Sequence, residues 1–217
     1  MPTIILASEM TGCFPTIRDE GLARARGTRL LYIPTAAYGE GWEPEYERHI
    51  LPFENSGFAV TMFDLEGKNR AEVAIALSRS DVVYVGGGNT FHLLLHMKAS
   101  GFYDLVGGEV EQGLVYIGSS AGSVAATPDI AYAASVDDPS KGRGVDTIGL
   151  GFIDRPVLPH SNHPEFSPYV RTIADRLDGE GTMYFALDDD EAVIVDEHGP
   201  RVSKVARADV PAYKTAV

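Results

Sequence analysis

The feature that most limits the fold of this chain is a series of short, nearly unbroken apolar runs separated by helix-like segments. The runs are Thr3–Ala7, Arg29–Pro34, Ala59–Phe63, Asp81–Val85 and Leu114–Ile117. Near-continuous apolar strands are covered on both faces, as in parallel sheets. Between and after them, Ala71–Ser80, Asn89–Ser100 and Pro164–Leu177 carry apolar residues at helical spacing. This alternation implies an α/β fold, a doubly wound and mostly parallel sheet sandwiched by helices with right-handed crossovers. Two later runs, Thr182–Leu187 and Glu191–Val195, lie close together, with Glu197-His198-Gly199-Pro200 as a turn. They predict an antiparallel C-terminal hairpin. No repeat, low-complexity tract or linker interrupts the chain, so residues 1–217 are expected to form a single α/β domain.

Composition removes several function classes. The net charge is −13 and no stripe of Lys and Arg occurs, which argues against a nucleic-acid partner. The acidity reads as a solvated surface. No segment approaches the ~20 apolar residues of a membrane span. The apolar start, Thr3–Ala7, is too short for a signal-peptide core, so a cytoplasmic location is expected. Cys13 is the single cysteine, which excludes an internal disulfide and a cysteine zinc cluster and leaves a weak catalytic candidate.

In an open α/β sheet, ligands bind beyond the carboxyl ends of the strands. The loops there include Gly86-Gly87-Gly88-Asn89, Gly118-Ser119-Ser120 and Asp188-Asp189-Asp190. Gly118-Ser119-Ser120-Ala121-Gly122 matches G-x-S-x-G between a strand and a helix, the pattern of a nucleophile elbow with Ser120 at its tip. A plain glycine-rich turn fits the same five residues. In an elbow, the Ala121 N–H would face an oxyanion from the helix start. Gly86–Asn89 lacks the spacing of a dinucleotide loop and the Lys of a P-loop. It reads as a strand-to-helix turn capped by Asn89 or Thr90, or, beside Ser120, as the source of a second oxyanion donor at Gly88. Six histidines are available as the base. His49 and His198 read as surface residues. His92 and His96 have metal-ligand spacing, but no acidic ligand falls in register on that helix, which favours an amphipathic face and no metal. His160, ending the run Val157-Leu158-Pro159, is preferred to His163.

Three segments in order, Val85–Phe91, Tyr116–Gly122 and Pro159-His160, resemble the peptidase E family of serine peptidases, the aspartyl dipeptidases, with cyanophycinases as more distant relatives. The resemblance spans roughly residues 3 to 197. It implies a sandwich similar to class I glutamine amidotransferases and a cofactor-free, serine-type, dipeptidase-like hydrolase. On it, Ser120 matches the nucleophile, His160 the base, and Gly88 and Ala121 the oxyanion-hole donors. Asp189 falls at the family's acidic position, with Asp137 and Asp138 as rivals and an acidic hairpin turn as the alternative use of residues 188–191. Two departures bear on substrate. The segment after His160 is short and carries Glu165, and Arg171 does not sit in the family's arginine motif. The tail, Val202–Val217, is also shorter than the family's. The expectation is a Ser-His-Asp hydrolase acting on a small peptide or amide, with Asp-X specificity in doubt. The alternative is a homologue that acts on another amide or binds without catalysis. Its state of self-association is left open.

Overall fold

The computed structural model describes residues 2–205. In chain order its strands are β1 (Thr3–Ala7), β2 (Arg29–Ile33), β3 (Ala59–Met62), β4 (Val82–Val85), β5 (Val115–Ser119), β6 (Val157–Leu158), β7 (Phe185–Ala186), β8 (Glu191–Asp196) and β9 (Gly199–Lys204). The α-helices are α1 (Met10–Thr16), the short α2 (Thr35–Gly39), α3 (Tyr46–His49) and α4 (Leu51–Asn55), then α5 (Arg70–Ser78), α6 (Thr90–Ser100), α7 (Phe102–Glu111), α8 (Ala121–Ala125) and α9 (Ser167–Glu180). Seven strands form one sheet in the order β3-β2-β4-β5-β1-β8-β9. The first five are parallel, and β8 and β9 close the sheet antiparallel.

The doubly covered sheet follows from the apolar runs. Ile4 and Leu6 of β1 join one core cluster with Val83, Val85 and Tyr116, while Ile5 and Ala7 join another with Val82, Tyr84 and Ile117. Successive side chains of a strand point to opposite faces, so a run with apolar residues at every position needs helices on both sides. At the helix starts, Asn69 and Glu72 form a reciprocal capping box on α5. The Asn89 carboxamide accepts from His92 N–H at 2.9 Å, which makes Asn89, not Thr90, the cap of α6.

The C-terminal hairpin pairs β8 with β9 around Glu197-His198, and β8 also pairs antiparallel with β1. The Thr182–Leu187 run differs from expectation. Only Phe185–Ala186 is strand, and it pairs parallel with β6 in a separate two-stranded sheet. Leu158 O accepts from Leu187 N–H and Pro156 O from Phe185 N–H, so these groups are committed to β6 before β8 begins. The comparison of tail lengths falls mostly on residues 206–217, outside the described residues.

The topology brings the chemistry-bearing loops together. Ala7 is in register with Ser119, and Val85 with Gly118. The carboxyl ends of β4, β5 and β1 therefore lie side by side, with Gly86–Gly88, Ser120 and Ser8 just beyond them.

Candidate active site

Ser120 connects β5 to α8 with φ 51° and ψ −112°, a left-handed setting that costs a non-glycine residue about 1–3 kcal/mol. It is held there because its N–H donates to Ala7 O at 3.1 Å and its carbonyl accepts from Ser123 and Val124. The glycine two positions on is a steric requirement. A Cβ on Gly122 would sit 2.2 Å from Val85 O, backbone against backbone. As the first residue of α8, Ala121 has no carbonyl one turn behind it in the helix, so its N–H is free to face a ligand. On the facing loop, Gly88 has φ +131°, and a Cβ there would lie 2.2 Å from Ala36 O. The flanking N–H groups of Gly86 and Asn89 donate to Ile33 O and Ala36 O. Gly87, Gly88 and Ser120 line one cleft.

His160 follows β6 with φ +66°, a second non-glycine residue in the left-handed region. Its Nε2 lies 2.9 Å from Ser120 Oγ, and its Nδ1 lies 2.7 Å from Asp189 Oδ1. An Nδ1–H donated to the carboxylate leaves Nε2 as the acceptor for the serine hydroxyl. The three adjacent aspartates part ways by their partners. Asp188 accepts from Ser161 Oγ at 2.6 Å and pairs with Lys204, and that hydroxyl, with the lysine beside it, holds its carboxyl below the usual range. Asp190 pairs with Lys204 at 3.3 Å. Asp189 alone of the three faces the imidazole, and its own N–H donates to Asn162 Oδ1. The rivals serve helix starts instead. Asp137 Oδ2 accepts from Thr90 N–H at 2.8 Å and Asp138 Oδ1 from Ser140 N–H at 2.9 Å. Asp137 also lines the cleft, and burial raises its carboxyl.

Ser8, fully buried at the end of β1, was not anticipated from sequence. Its Oγ accepts from His160 N–H at 2.8 Å and stands 3.3 Å from both Leu187 O and Asp189 Oδ1. One hydroxyl thus links His160, Asp189 and β1. The signal available was its place, one residue past a parallel strand.

Cys13 is buried and its thiol donates to Glu191 O at 3.0 Å and Asp189 O at 3.5 Å. Burial pushes the thiol up to about 12, so it braces the turn as a neutral group, not as a nucleophile. His163 accepts from Glu165 N–H. His198 is exposed, as expected. His49 is not a surface residue: its ring stacks on Tyr32 and its Nδ1 meets Tyr84 OH at 3.1 Å.

Two recesses meet at Ser120 and His160. One is apolar, walled by Val124, Tyr132, Leu158, Val170 and Ile173. The other is rimmed by Glu9, Glu40, Glu43, Glu45, Asp137 and Glu165, with Arg48 as its basic member. Arg48 itself pairs with Glu9 at 3.3 Å. Arg171 is exposed on α9.

The model of peptidase family S51 matches residues 4–202. An uncharacterized peptidase of Listeria monocytogenes, Lmo0363, is 30% identical over 196 residues, 90% of this chain and 95% of that protein. Peptidase E of Salmonella arizonae is 31% identical over 123 residues, 55% of this chain and half of that one. A Listeria monocytogenes crystal structure, described provisionally as a peptidase E protein, superposes with a TM-score of 0.85 at 27% identity. The match covers 95% of this chain and all of that one. The shared architecture is the mostly parallel sheet between helices with antiparallel C-terminal strands.

Proposed function

The chain belongs to peptidase family S51, and from that premise we propose that this serine-type peptidase uses Ser120 as nucleophile, His160 as general base and acid, and Asp189 to orient the imidazole. The observation that carries the reading is the continuous chain Ser120 Oγ–His160 Nε2, 2.9 Å, and His160 Nδ1–Asp189 Oδ1, 2.7 Å. Ser120 Oγ attacks the carbonyl carbon while its proton passes to Nε2. The carbonyl's π electrons move onto oxygen, where the N–H groups of Gly88 and Ala121 receive the charge. On collapse the C–N bond breaks and His160 returns the proton to the departing amine. Water then attacks the acyl-serine, giving its proton to Nε2, and the carboxylic acid and Ser120 hydroxyl are released.

The rim supports a substrate other than Asp-X. Of the six carboxylates at the rim, Glu9 is paired with Arg48 and Glu40 with Lys141, so an aspartyl side chain brought to Ser120 would meet Glu43, Glu45, Asp137 and Glu165 with no unpaired cation of the rim to receive it. The same rim attracts a free ammonium group or a basic side chain, while the apolar recess takes an uncharged side chain. Like-charge placement rejects the wrong substrate more firmly than it rewards the right one.

The test is labelling by a serine-directed fluorophosphonate combined with a dipeptide panel. Wild type is expected to label at one site and Ser120→Ala not at all, and peptides with cationic or apolar residues are expected to be hydrolysed faster than Asp-X. Full labelling of Ser120→Ala overturns the nucleophile. Preferential hydrolysis of Asp-X peptides overturns the substrate reading while leaving the nucleophile in place.

A further inference from the structure

On the first two turns of α6, two imidazoles sit one turn apart with no role in the chemistry above. His92 and His96 have ring centroids 4.4 Å apart, and His96 is 92% buried. Both Nε2 atoms are buried and, among the described residues, neither has a hydrogen-bond partner. Facing them is Glu66, in the loop four residues beyond β3. Its carboxylate oxygens lie 4.0 Å from His92 Nε2 and 3.8 Å from His96 Nε2, too far for hydrogen bonds. One donor atom from each residue falls within 4.8 Å of the others.

We propose that Glu66, His92 and His96 form a binding site for a divalent transition ion of the zinc class. Two histidines at i and i+4 present both Nε2 atoms on one side of a helix, and a carboxylate from a separate element completes a His-His-Glu set. A tetrahedral ion with bonds of about 2.0–2.1 Å holds its donors roughly 3.4 Å apart. The Glu66 separations exceed that by a few tenths of an ångström, within reach of a carboxylate whose side chain is 51% exposed.

The surroundings fix the donors and leave an approach. The Asp64 carboxylate accepts from Thr35 Oγ1 at 2.7 Å and from Glu66 N–H at 3.1 Å, so the loop that carries Glu66 is tied to the end of β2. A Cβ on Gly39 would come within 2.7 Å of His92 Cβ, which shows how closely α2 confines that side chain. Glu66 reaches solvent and offers the route of entry. Nitrogen-rich donor sets of this kind favour zinc, cobalt, nickel or copper over magnesium and calcium, which take oxygen ligands. With three protein donors the ion retains a position for water, and it fastens the loop after β3 to α6, whose first turn adjoins Gly88.

The assay uses tag-free protein freed of metal by chelation. Titration with Co²⁺ is expected to give the visible absorption of a low-coordinate cobalt site, saturating at one ion per chain. Zn²⁺ should displace it, and Mg²⁺ should not. Calorimetry with Zn²⁺ should show Glu66→Gln weakening binding by about tenfold or more, since one of three donors is lost. His92→Gln/His96→Gln should abolish stoichiometric binding. Glu66 is exposed, so its variant tests the site without burdening the fold. Absence of saturable one-to-one binding by wild type, or binding unchanged in Glu66→Gln and in the double variant, overturns the proposal. Fluorophosphonate labelling, read in parallel, reports separately on Ser120.

Discussion

Replacing Ser8 by alanine removes one buried oxygen that touches three groups at once. It leaves the His160 N–H without its acceptor at 2.8 Å and takes a contact of 3.3 Å from Asp189. An orphaned buried N–H costs about 1–3 kcal/mol. For a chain of this size that lowers Tm by about 2–12 °C. The larger consequence is geometric. His160 stands at φ +66°, where a non-glycine backbone is unfavourable, and the bond to Ser8 is one of the restraints that hold it. Released, the imidazole drifts from Ser120, and a misplacement of about 1 Å costs about 10²-fold in rate. The assay is the second-order rate constant of fluorophosphonate labelling, beside the labelling of Leu77→Ala as a control. Leu77, on α5, is a core residue whose truncation costs about 2–5 kcal/mol, so that variant loses stability without disturbing the site. Ser8→Ala is expected to label about 10–100 times more slowly than wild type, and Leu77→Ala at the wild-type rate while still folded. Wild-type labelling by Ser8→Ala, with its Tm lowered, would refute the positioning role.

Two further perturbations test other links in the chain. Gly122→Ala forces a Cβ to within 2.2 Å of Val85 O, a backbone clash that no rotamer relieves, and should cost about 3 kcal/mol or more. Gly179→Ala in α9, where a Cβ meets nothing within 4 Å, should be neutral or stabilising by about 1 kcal/mol; thermal melts that rank the two alike would defeat the argument. Burial, and then the Arg48 charge, push His49 down to about 4, against Glu9 and Glu45, which act the other way. Between pH about 6.5 and 4 the unfolded chain therefore binds a proton that the folded chain refuses, so stability falls on acidification through that window, by about 3 kcal/mol. Urea midpoints at both ends of the window should show a smaller drop for His49→Gln than for wild type, and an equal drop would remove His49 as the cause.

Four of the five parallel strands, β1, β2, β4 and β5, were legible because a strand buried on both faces leaves a nearly unbroken apolar signature; β3 carries a similar run although it is the exposed edge of the sheet, with Met62 48% exposed. The turn at Ser120 was legible for a related reason: its shape depends on neighbours two residues away, Gly118 and Gly122, within one strand–turn–helix. Asp189 was harder, because three adjacent carboxylates differ only in which partner each meets, and those partners, Lys204, Ser161 and His160, come from three other segments. Thr182–Leu187 misled because apolar content does not say which strand a run will pair with, and its partner β6 is only the two residues Val157–Leu158 of a short apolar run.

The two residues that escaped altogether share a cause. Ser8 acts through His160, 152 positions away, and Glu66 faces His92 across an intervening helix and strand. The helix that carries His92 and His96 has no acidic partner in register with them. The third donor comes instead from the register between elements. Ser8 directly follows β1, and Glu66 lies four residues past β3, each just beyond the carboxyl end of a parallel strand. In a parallel sheet all such ends share one edge, so polar residues there are neighbours whatever their separation in sequence. A chain whose strands can be read thus already narrows its candidate ligands to the few polar residues after each strand. Pairing among those residues, more than spacing within any one element, is where the chemistry of this fold is to be sought.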